Sequence, residues 1–197
     1  MELKDKTSDV RYLNDMRDVL YDKQWAETAP NLELYYMYRQ LTEKDGIKYD
    51  ITIIPAQMLG KEFTKTKGHE HVGSYPEIYT VLEGEAIYFM QKQKDDVIED
   101  VYAVKAKKGD VVIIPSYYAH VTINPSGQDL KMANWMAIEA KSDYSPIQKK
   151  GGVCYFYTTS GWIKNENYKQ VPELRFEKPK KEVPKDLSFL KARKKYE

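Results

Sequence analysis

Short runs in which hydrophobic and polar residues alternate occupy most of the chain, and this two-residue period is typical of β-strands. In residues 47–54, Ile47, Tyr49, Ile51 and Ile53 share one face, whereas lysine, aspartate and threonine share the other. The pattern predicts strands near 33–39, 47–54, 61–66, 68–72, 77–82, 85–92, 97–106, 111–114, 118–123, 131–139 and 153–159. Many short strands without intervening helices indicate a sandwich or a barrel, so we expect an all-β fold.

The N-terminal region is the exception, because its apolar residues recur at helical spacing. Within residues 8–28, Val10, Leu13, Met16 and Leu20 would share one face of a helix. We therefore expect an N-terminal extension with a helix over this range, placed before the β-rich part of the chain.

Length, charge and cysteine content narrow the classes of partner and compartment. With 197 residues, of which 42% are hydrophobic, the chain can form one domain with a substantial core. The formal net charge of +1 argues against nucleic acid as a partner, because phosphate binding needs a basic excess. No apolar run is long enough to span a membrane, and the first ten residues lack the apolar part of a secretory signal. Cys154 is the only cysteine, so the chain cannot form an intrachain disulfide. We expect a cytoplasmic protein that does not bind membranes.

The composition changes near the C-terminus. Residues 177–197 contain eight lysines and arginines against four acidic residues. We expect a barrel domain with its N-terminal extension over residues 1–165 and a basic C-terminal tail over residues 166–197. The apolar residues within 187–190 would dock one helical turn of this otherwise solvated tail.

The three histidines lie in two β-rich segments and predict a metal site. His69 and His71 are two residues apart, so in a strand they point to the same face, roughly 6.5–7 Å apart. Glu77 follows across a Gly-Ser-Tyr-Pro turn, and His120 belongs to a separate predicted strand. Three imidazoles and one carboxylate suit Fe, Mn, Ni, Co or Zn and leave open positions on an octahedral ion. The alternative is that the first two histidines lie on an exposed loop, where this spacing is common.

Two longer motifs resemble those of the cupin family. Residues 60–84 read GKEFTKTKGHEHVGSYPEIYTVLEG, with His-X-His, a short gap, Glu, six residues and Gly. Residues 109–124 read GDVVIIPSYYAHVTIN, with Gly, five residues, Pro, then His and Asn. Tyr117 stands where many cupins have glycine, a departure that alters a turn and no ligand. The resemblance implies a cupin barrel (a double-stranded β-helix of jelly-roll type) with minor helices. It also implies four metal ligands: His69, His71, Glu77 and His120.

Within the cupins, the chain is similar to the archaeal-type glucose-6-phosphate isomerases. The segments VRYLNDM, TKGHEH, PEIYTVLEG and PSYYAH carry this resemblance, which covers about residues 9–160. It implies six residues that contact the substrate phosphate and hydroxyls: Tyr35, Thr52, Thr66, Gly68, Tyr79 and Tyr144. One departure is Ser142, where the family often has histidine. If that histidine assists ring opening or proton transfer, Ser142 cannot replace it.

The residue types near the predicted metal site agree with a phosphorylated substrate. Thr66, Lys67 and Gly68 offer a hydroxyl, an ammonium and an unhindered backbone N–H, all suited to phosphate. Lys65, by contrast, is interpreted as ordinary surface charge. Tyr79 shares a strand face with Glu77 by the two-residue period, which favours a place in the pocket.

The resemblance implies that the chain interconverts glucose 6-phosphate and fructose 6-phosphate. It also implies one divalent transition metal per chain, for which Fe²⁺ is the first expectation and Mn²⁺, Ni²⁺, Zn²⁺ and Co²⁺ are the alternatives. Glu77 is the expected general base and acid, and a metal-assisted hydride shift is the other route. Two other functions stay open: another metal-dependent cupin enzyme such as an iron dioxygenase, and a non-catalytic sugar-binding cupin. We also expect a homodimer, because barrel edges and the apolar residues within 12–25 need a partner surface.

Overall fold

The structure is a computed structural model that describes residues 3–73 and 75–191. Its strands are β1 (Asp9–Tyr12), β2 (Glu33–Lys44), β3 (Ile47–Ile54), β4 (Met58–Leu59), β5 (Glu62–Phe63), β6 (Glu70–Val72), β7 (Glu77–Glu83), β8 (Glu85–Lys94), β9 (Val97–Lys107), β10 (Val111–Ile114), β11 (Ala119–Ile123), β12 (Leu130–Ala137), β13 (Lys141–Asp143), β14 (Tyr155–Thr158), β15 (Gly161–Lys164) and β16 (Arg175–Glu177). The α-helices are α1 (Lys23–Thr28) and α2 (Ser145–Lys149), and 3₁₀ turns occupy Leu13–Asp15, Arg17–Val19 and Ser188–Lys191. None of the helices in this described part of the chain is long and apolar enough to cross a membrane.

Two large sheets enclose the main hydrophobic core. The six-stranded sheet has the order β1-β2-β3-β12-β7-β10, and the four-stranded sheet has the order β11-β8-β9-β16. Side chains from both sheets, such as Tyr79 of β7 and Tyr88 of β8, meet in the same cluster. Because β12 lies between β3 and β7, residues far apart in sequence become neighbours on one wall. The expected all-β cupin barrel with minor helices is confirmed.

The predicted strands at 61–66 and 68–72 are shorter than expected. Ladders form only over Glu62–Phe63 and Glu70–Val72. Between them, Lys65 and His69 each make an isolated bridge to β11, and Gly68 has a φ of +85°. A left-handed residue interrupts the extended backbone, so one continuous strand cannot form here.

The predicted helix over residues 8–28 is wrong for most of its length. Residues 9–12 form β1, which pairs with β2, and two 3₁₀ turns follow before the six-residue helix α1. Three apolar residues of the pattern, Leu13, Met16 and Leu20, are 0% exposed in the core of this same chain, whereas Val10 on β1 is partly buried. Spacings of three and four residues also suit short turns that lie on a barrel, because each turn directs one side chain inward. These residues therefore need no second subunit to cover them.

The described part of the segment after residue 166 contacts the barrel at several points. β16 pairs in parallel with β9, and the Arg175 guanidinium donates to both carboxylate oxygens of Asp100 at 3.2 and 2.7 Å. Farther on, Leu190 joins Ile47, Ile78 and Val111 in a second apolar cluster, as the predicted docked turn requires. The division into a barrel domain and a tail at 165/166 stays a prediction, and residues 192–197 lie outside the described residues.

Candidate metal centre and substrate cavity

Four side chains from three neighbouring segments converge on one point inside the barrel. His69 precedes β6 and faces His120 of β11, with reciprocal backbone N–H···O bonds of 3.2 and 2.9 Å between the two residues. His71 lies on β6, and Glu77 is the first residue of β7. One ligand atom from each of the four lies within 4.8 Å of the other three. The structure thus brings together the four ligands predicted from sequence.

The distances show which atoms face the centre. Nε2 of His69 is 3.2 Å from Nε2 of His71, and Oε2 of Glu77 is 3.5 Å from Nε2 of His71. The same carboxylate oxygen is 3.3 Å from Nε2 of His120. Nδ1 of His71 lies 2.8 Å from the carbonyl oxygen of Tyr75. Since a carbonyl can only accept, Nδ1 carries the proton and Nε2 keeps a lone pair directed at the centre.

The protonation of these groups fits a cation site. Burial, and then the neighbouring histidines, hold the pKa of His69 well below its ordinary value. Burial also lowers the pKa of His71, so both imidazoles are neutral, which is the form that binds metals. Burial alone would raise the pKa of Glu77, but its contacts with His120 and His71 outweigh this effect and the pKa is lowered.

One polar atom at the centre is left without a partner. Oε2 of Glu77 is fully buried, and no group in residues 3–73 or 75–191 completes a hydrogen bond to it. A buried carboxylate oxygen of this kind is costly unless a cation or a donor reaches it. Imidazole nitrogens of the three histidines and this oxygen form a donor set that suits a divalent transition metal.

A cavity opens beside the four ligands. It is lined by His69 and Glu77 together with all six residues expected to contact substrate: Tyr35, Thr52, Thr66, Gly68, Tyr79 and Tyr144. Thr52 faces this cavity from β3, as its predicted role requires. The Tyr79 hydroxyl is 3.4 Å from Nε2 of His120, so this tyrosine lies between the metal centre and the barrel core.

Polar groups cluster at the part of the cavity wall formed by residues 66–68. The Lys67 N–H donates to the Tyr35 hydroxyl at 3.2 Å, and the Lys67 ammonium lies 5.6 Å from the centre of the Tyr144 ring. The Thr66 hydroxyl accepts from the Thr122 N–H at 2.9 Å, which leaves its own proton to donate. A side chain at Gly68 would come 2.4 Å from Val121, so only glycine fits this approach.

Comparison of the sequence with known proteins shows the family to which the chain belongs. A family model described as glucose-6-phosphate isomerase matches residues 11–173. Curated glucose-6-phosphate isomerases of Thermococcus gammatolerans and Pyrococcus furiosus are each 30% identical to the chain over 148 residues, which cover 72% of the chain and 76% of each relative. The chain belongs to the glucose-6-phosphate isomerase family.

Solved structures similar to the chain are more distant. A predicted oxalate decarboxylase from Thermotoga maritima has a TM-score of 0.45 at 19% identity, with 68% of this chain and 94% of that chain covered. An oxalate oxidase in complex with the substrate analogue glycolate has a TM-score of 0.47 at 16% identity, with 61% and 58% covered. Membership of the glucose-6-phosphate isomerase family follows from the family model and the archaeal relatives alone.

Sequence reasoning missed several residues that line the cavity of this glucose-6-phosphate isomerase family member. Met132, Asn134 and Met136 alternate along β12, beside the strand that bears Glu77. Their two-residue period marks one face, but methionine carries no chemical signal for a polar site. Arg39 was missed because it stands near the end of a predicted strand, where an arginine is normally solvated; its Nη1 lies 3.7 Å from Oδ2 of buried Asp50.

The structure overturns the expectation for Lys65 and shows where Ser142 lies. Lys65 is not ordinary surface charge: it is buried, its ammonium donates to the Val19 carbonyl at 3.0 Å, and it forms an ion pair with Glu62. Lys65 does not line the cavity, and its side chain holds the N-terminal segment instead. Ser142, where the isomerase family often has histidine, lines the cavity and pairs with His71 across β13 and β6.

Proposed function

We propose that this chain is a metal-dependent aldose–ketose isomerase that interconverts glucose 6-phosphate and fructose 6-phosphate. One observation carries the proposal: a cluster of three imidazoles and a carboxylate opens onto a cavity whose wall presents hydroxyl and backbone N–H donors, in a chain of the glucose-6-phosphate isomerase family. The chemistry needs both parts, since the reacting carbons and the phosphate lie at opposite ends of the sugar chain.

Four residues would hold one divalent transition metal: His69, His71, Glu77 and His120. When bound, the ion would polarise the carbonyl and hydroxyl oxygens at C1 and C2 of the substrate. We infer iron(II) as the metal, with Mn²⁺, Ni²⁺, Zn²⁺ or Co²⁺ able to occupy the same donor set. A metal binds the unprotonated nitrogen of an imidazole, and the lowered pKa values of His69 and His71 favour that form.

Glu77 is the residue we assign to proton transfer. Among the described residues that line the cavity, it is the only carboxylate. Isomerisation through an enediol needs a base that removes the C2 proton and then returns it to C1, and a carboxylate can do both. Burial in the barrel excludes water from this carboxylate, which limits exchange of the transferred proton.

The hydroxyl and N–H groups of six residues would hold the phosphate and the sugar hydroxyls: Tyr35, Thr52, Thr66, Gly68, Tyr79 and Tyr144. Lys67 adds a positive charge beside Tyr144, and the Arg11 guanidinium lies 5.5 Å from the centre of the same ring. Two cations on one aromatic ring leave net positive charge at this end of the cavity. A phosphate dianion bound there would be stabilised by charge-assisted hydrogen bonds.

A coupled assay tests the proposal directly. Fructose 6-phosphate is supplied to protein stripped with a chelator, each divalent metal is added back singly, and glucose 6-phosphate is followed through its dehydrogenase. We expect activity only after metal is restored, and no restoration in His71→Ala or His120→Ala. Glu83→Gln changes an exposed carboxylate paired with Lys131 and should behave as wild type. A metal-loaded wild type without isomerase activity would disprove the isomerase and favour a dioxygenase or sugar-binding function.

Two further variants separate chemistry from binding. Glu77→Gln keeps the size and one oxygen but removes the base, so kcat should fall by roughly 10²–10⁴-fold. Thr52→Val keeps the shape and removes a hydroxyl, so KM for the phosphorylated sugar should rise while kcat changes little. Near-normal turnover in metal-loaded Glu77→Gln would show that Glu77 does not transfer the proton. The metal-assisted hydride shift would then be the favoured route.

We also propose that the chain forms a homodimer in the cytoplasm. β1 is an edge strand of the six-stranded sheet, and an exposed edge offers unpaired backbone groups to a second copy. Tyr12 at the end of this strand keeps 37% of its surface exposed. Light scattering at micromolar concentration should give the mass of two chains, and the mass of one chain would refute the dimer.

A further inference from the structure

Asn134 lies on β12, the strand next to the one that carries Glu77. Its side chain faces the cavity, and among the described residues of the cavity wall it is the only carboxamide. In the sheet it is directly opposite Tyr79 on one side and Asp50 on the other. Only 6% of Asn134 and 1% of Glu77 is exposed to solvent, so contacts between them do not compete with water.

Asn134 makes one strong contact in this position. Its Nδ2 donates a hydrogen bond of 2.6 Å to Oε1 of Glu77. The second acceptor near this amide nitrogen is Sδ of Met136 at 3.6 Å, and a thioether sulfur is a weak acceptor. The amide therefore donates its stronger hydrogen bond to the carboxylate of a candidate metal ligand.

The bond gives the two oxygens of Glu77 different surroundings. Oε1 accepts the hydrogen bond from the amide of Asn134, whereas Oε2 lies 3.3 and 3.5 Å from Nε2 of His120 and His71 and accepts no hydrogen bond from the described residues. Rotation of the carboxylate about its last torsion would break the hydrogen bond from the Asn134 amide and leave Oε1 unpaired in the interior. The observed orientation is thus the one in which both oxygens have a use once a cation is bound.

The chemistry of the neighbours explains why an amide serves here. Asp50, opposite Asn134, is a second buried carboxylate, and its Oδ1 accepts the Gln40 N–H at 2.6 Å. A charged acid at position 134 would stand between two carboxylates. A neutral amide can donate to Glu77 without adding charge of either sign, so it orients the ligand and leaves the charge of the centre unchanged.

We propose that Asn134 is a positioning residue that holds the Glu77 carboxylate with Oε2 toward the three imidazoles. This inference rests on the proposed metal centre and concerns the orientation of one ligand. Groups that orient a metal ligand typically change metal affinity or activity by about 10–100-fold when they are removed. The loss of Asn134 should therefore weaken metal binding by roughly 10–100-fold and alter the ligand field of the bound ion.

The experiment uses Co²⁺ as the probe and needs no substrate. The full chain is stripped with a chelator and titrated with Co²⁺ in competition with a chromophoric chelator, and the visible absorption bands of the bound ion are recorded at saturation. We compare wild type with Asn134→Leu, which keeps the size without the donor, and with Asn134→Ala, which cannot overpack. Asn165→Leu is the matched control, because Asn165 is about equally buried and, within the described part of the chain, its side chain bonds only backbone groups, at residues 150, 152, 153 and 167.

The outcomes distinguish a positioning role of Asn134 from a purely structural one. We expect both Asn134 variants to bind Co²⁺ roughly 10–100-fold more weakly with shifted absorption bands. The control should lose thermal stability but keep the wild-type affinity and spectrum. If either folded Asn134 variant keeps both the affinity and the spectrum, the residue is only structural and the inference is overturned. A wild type that binds Co²⁺ tightly but does not isomerise sugar phosphates would end the proposed function and leave this test of Asn134 intact; a wild type that binds no Co²⁺ would overturn both.

Discussion

Substitution of Gly68 by alanine tests how tightly the chain is built beside the metal centre. Gly68 has a φ of +85°, and a Cβ at this position would lie 2.4 Å from Cγ1 of Val121 and 2.9 Å from Cδ1 of Ile147. Both contacts are shorter than non-bonded carbon atoms allow. The variant therefore suffers a conformational cost and a packing cost at the same residue.

The two costs have different sizes. A left-handed conformation costs an alanine about 1–2 kcal/mol, and overpacking of a dense core costs about 1–3 kcal/mol. Together they predict a loss of about 2–5 kcal/mol, a large part of the 5–15 kcal/mol that is typical of a folded domain. At about 2–4 °C per kcal/mol for a chain of this size, the melting temperature should fall by about 4–20 °C.

Gly109→Ala separates the two costs. Gly109 has a φ of +89°, but no atom of residues 3–73 or 75–191 lies within 4 Å of a Cβ built there. This variant should lose only the conformational part, about 1–2 kcal/mol, and alanine restricts the unfolded chain equally in both variants. The measurement is chemical denaturation of both variants and wild type after metal removal, so that metal binding does not contribute. Equal losses in the two variants, or a smaller loss in Gly68→Ala, would refute the packing argument.

Three further predictions concern stability and access. Removal of the metal with a chelator should lower the melting temperature by about 5–11 °C if the metal was present at about 100 times its Kd, and His71→Ala should show no such shift. Leu190→Ala should lower the free energy of unfolding by about 2–5 kcal/mol in denaturant, because Leu190 is 0% exposed. Leu187→Ala, at a partly buried residue, should cost less. Equal small losses in the two variants would mean that this segment is not part of the core. Burial raises the pKa of Cys154, so the native protein should not react with a thiol reagent at neutral pH and should react once in guanidinium chloride; rapid reaction of the native protein would contradict its burial.

The alternation of apolar and polar residues predicted most of the barrel strands, but it missed the short strands β1, β4, β13, β15 and β16. The four metal-ligand candidates came from the spacing of the histidines and from the cupin motifs. A strand period is a local property, set by where successive side chains point, so it can be read without knowing the partner strand. The spacing of His69 and His71, and the motifs around Glu77 and His120, therefore led to the same cluster that the structure contains. Helical spacing was less informative, because short 3₁₀ turns on a barrel place apolar residues at similar intervals.

Only the tertiary structure decided which distant residues meet. Asn134 bonds Glu77 across 57 positions of sequence, and the Lys65 ammonium bonds the Val19 carbonyl across 46. Both pairs depend on strand order and on burial, and neither of these follows from the residues on either side. The same sequence patterns would be compatible with a solvated lysine and an unremarkable strand asparagine. Burial in the barrel is the physical reason for the difference, since it removes water and forces each polar group to find a partner within the chain.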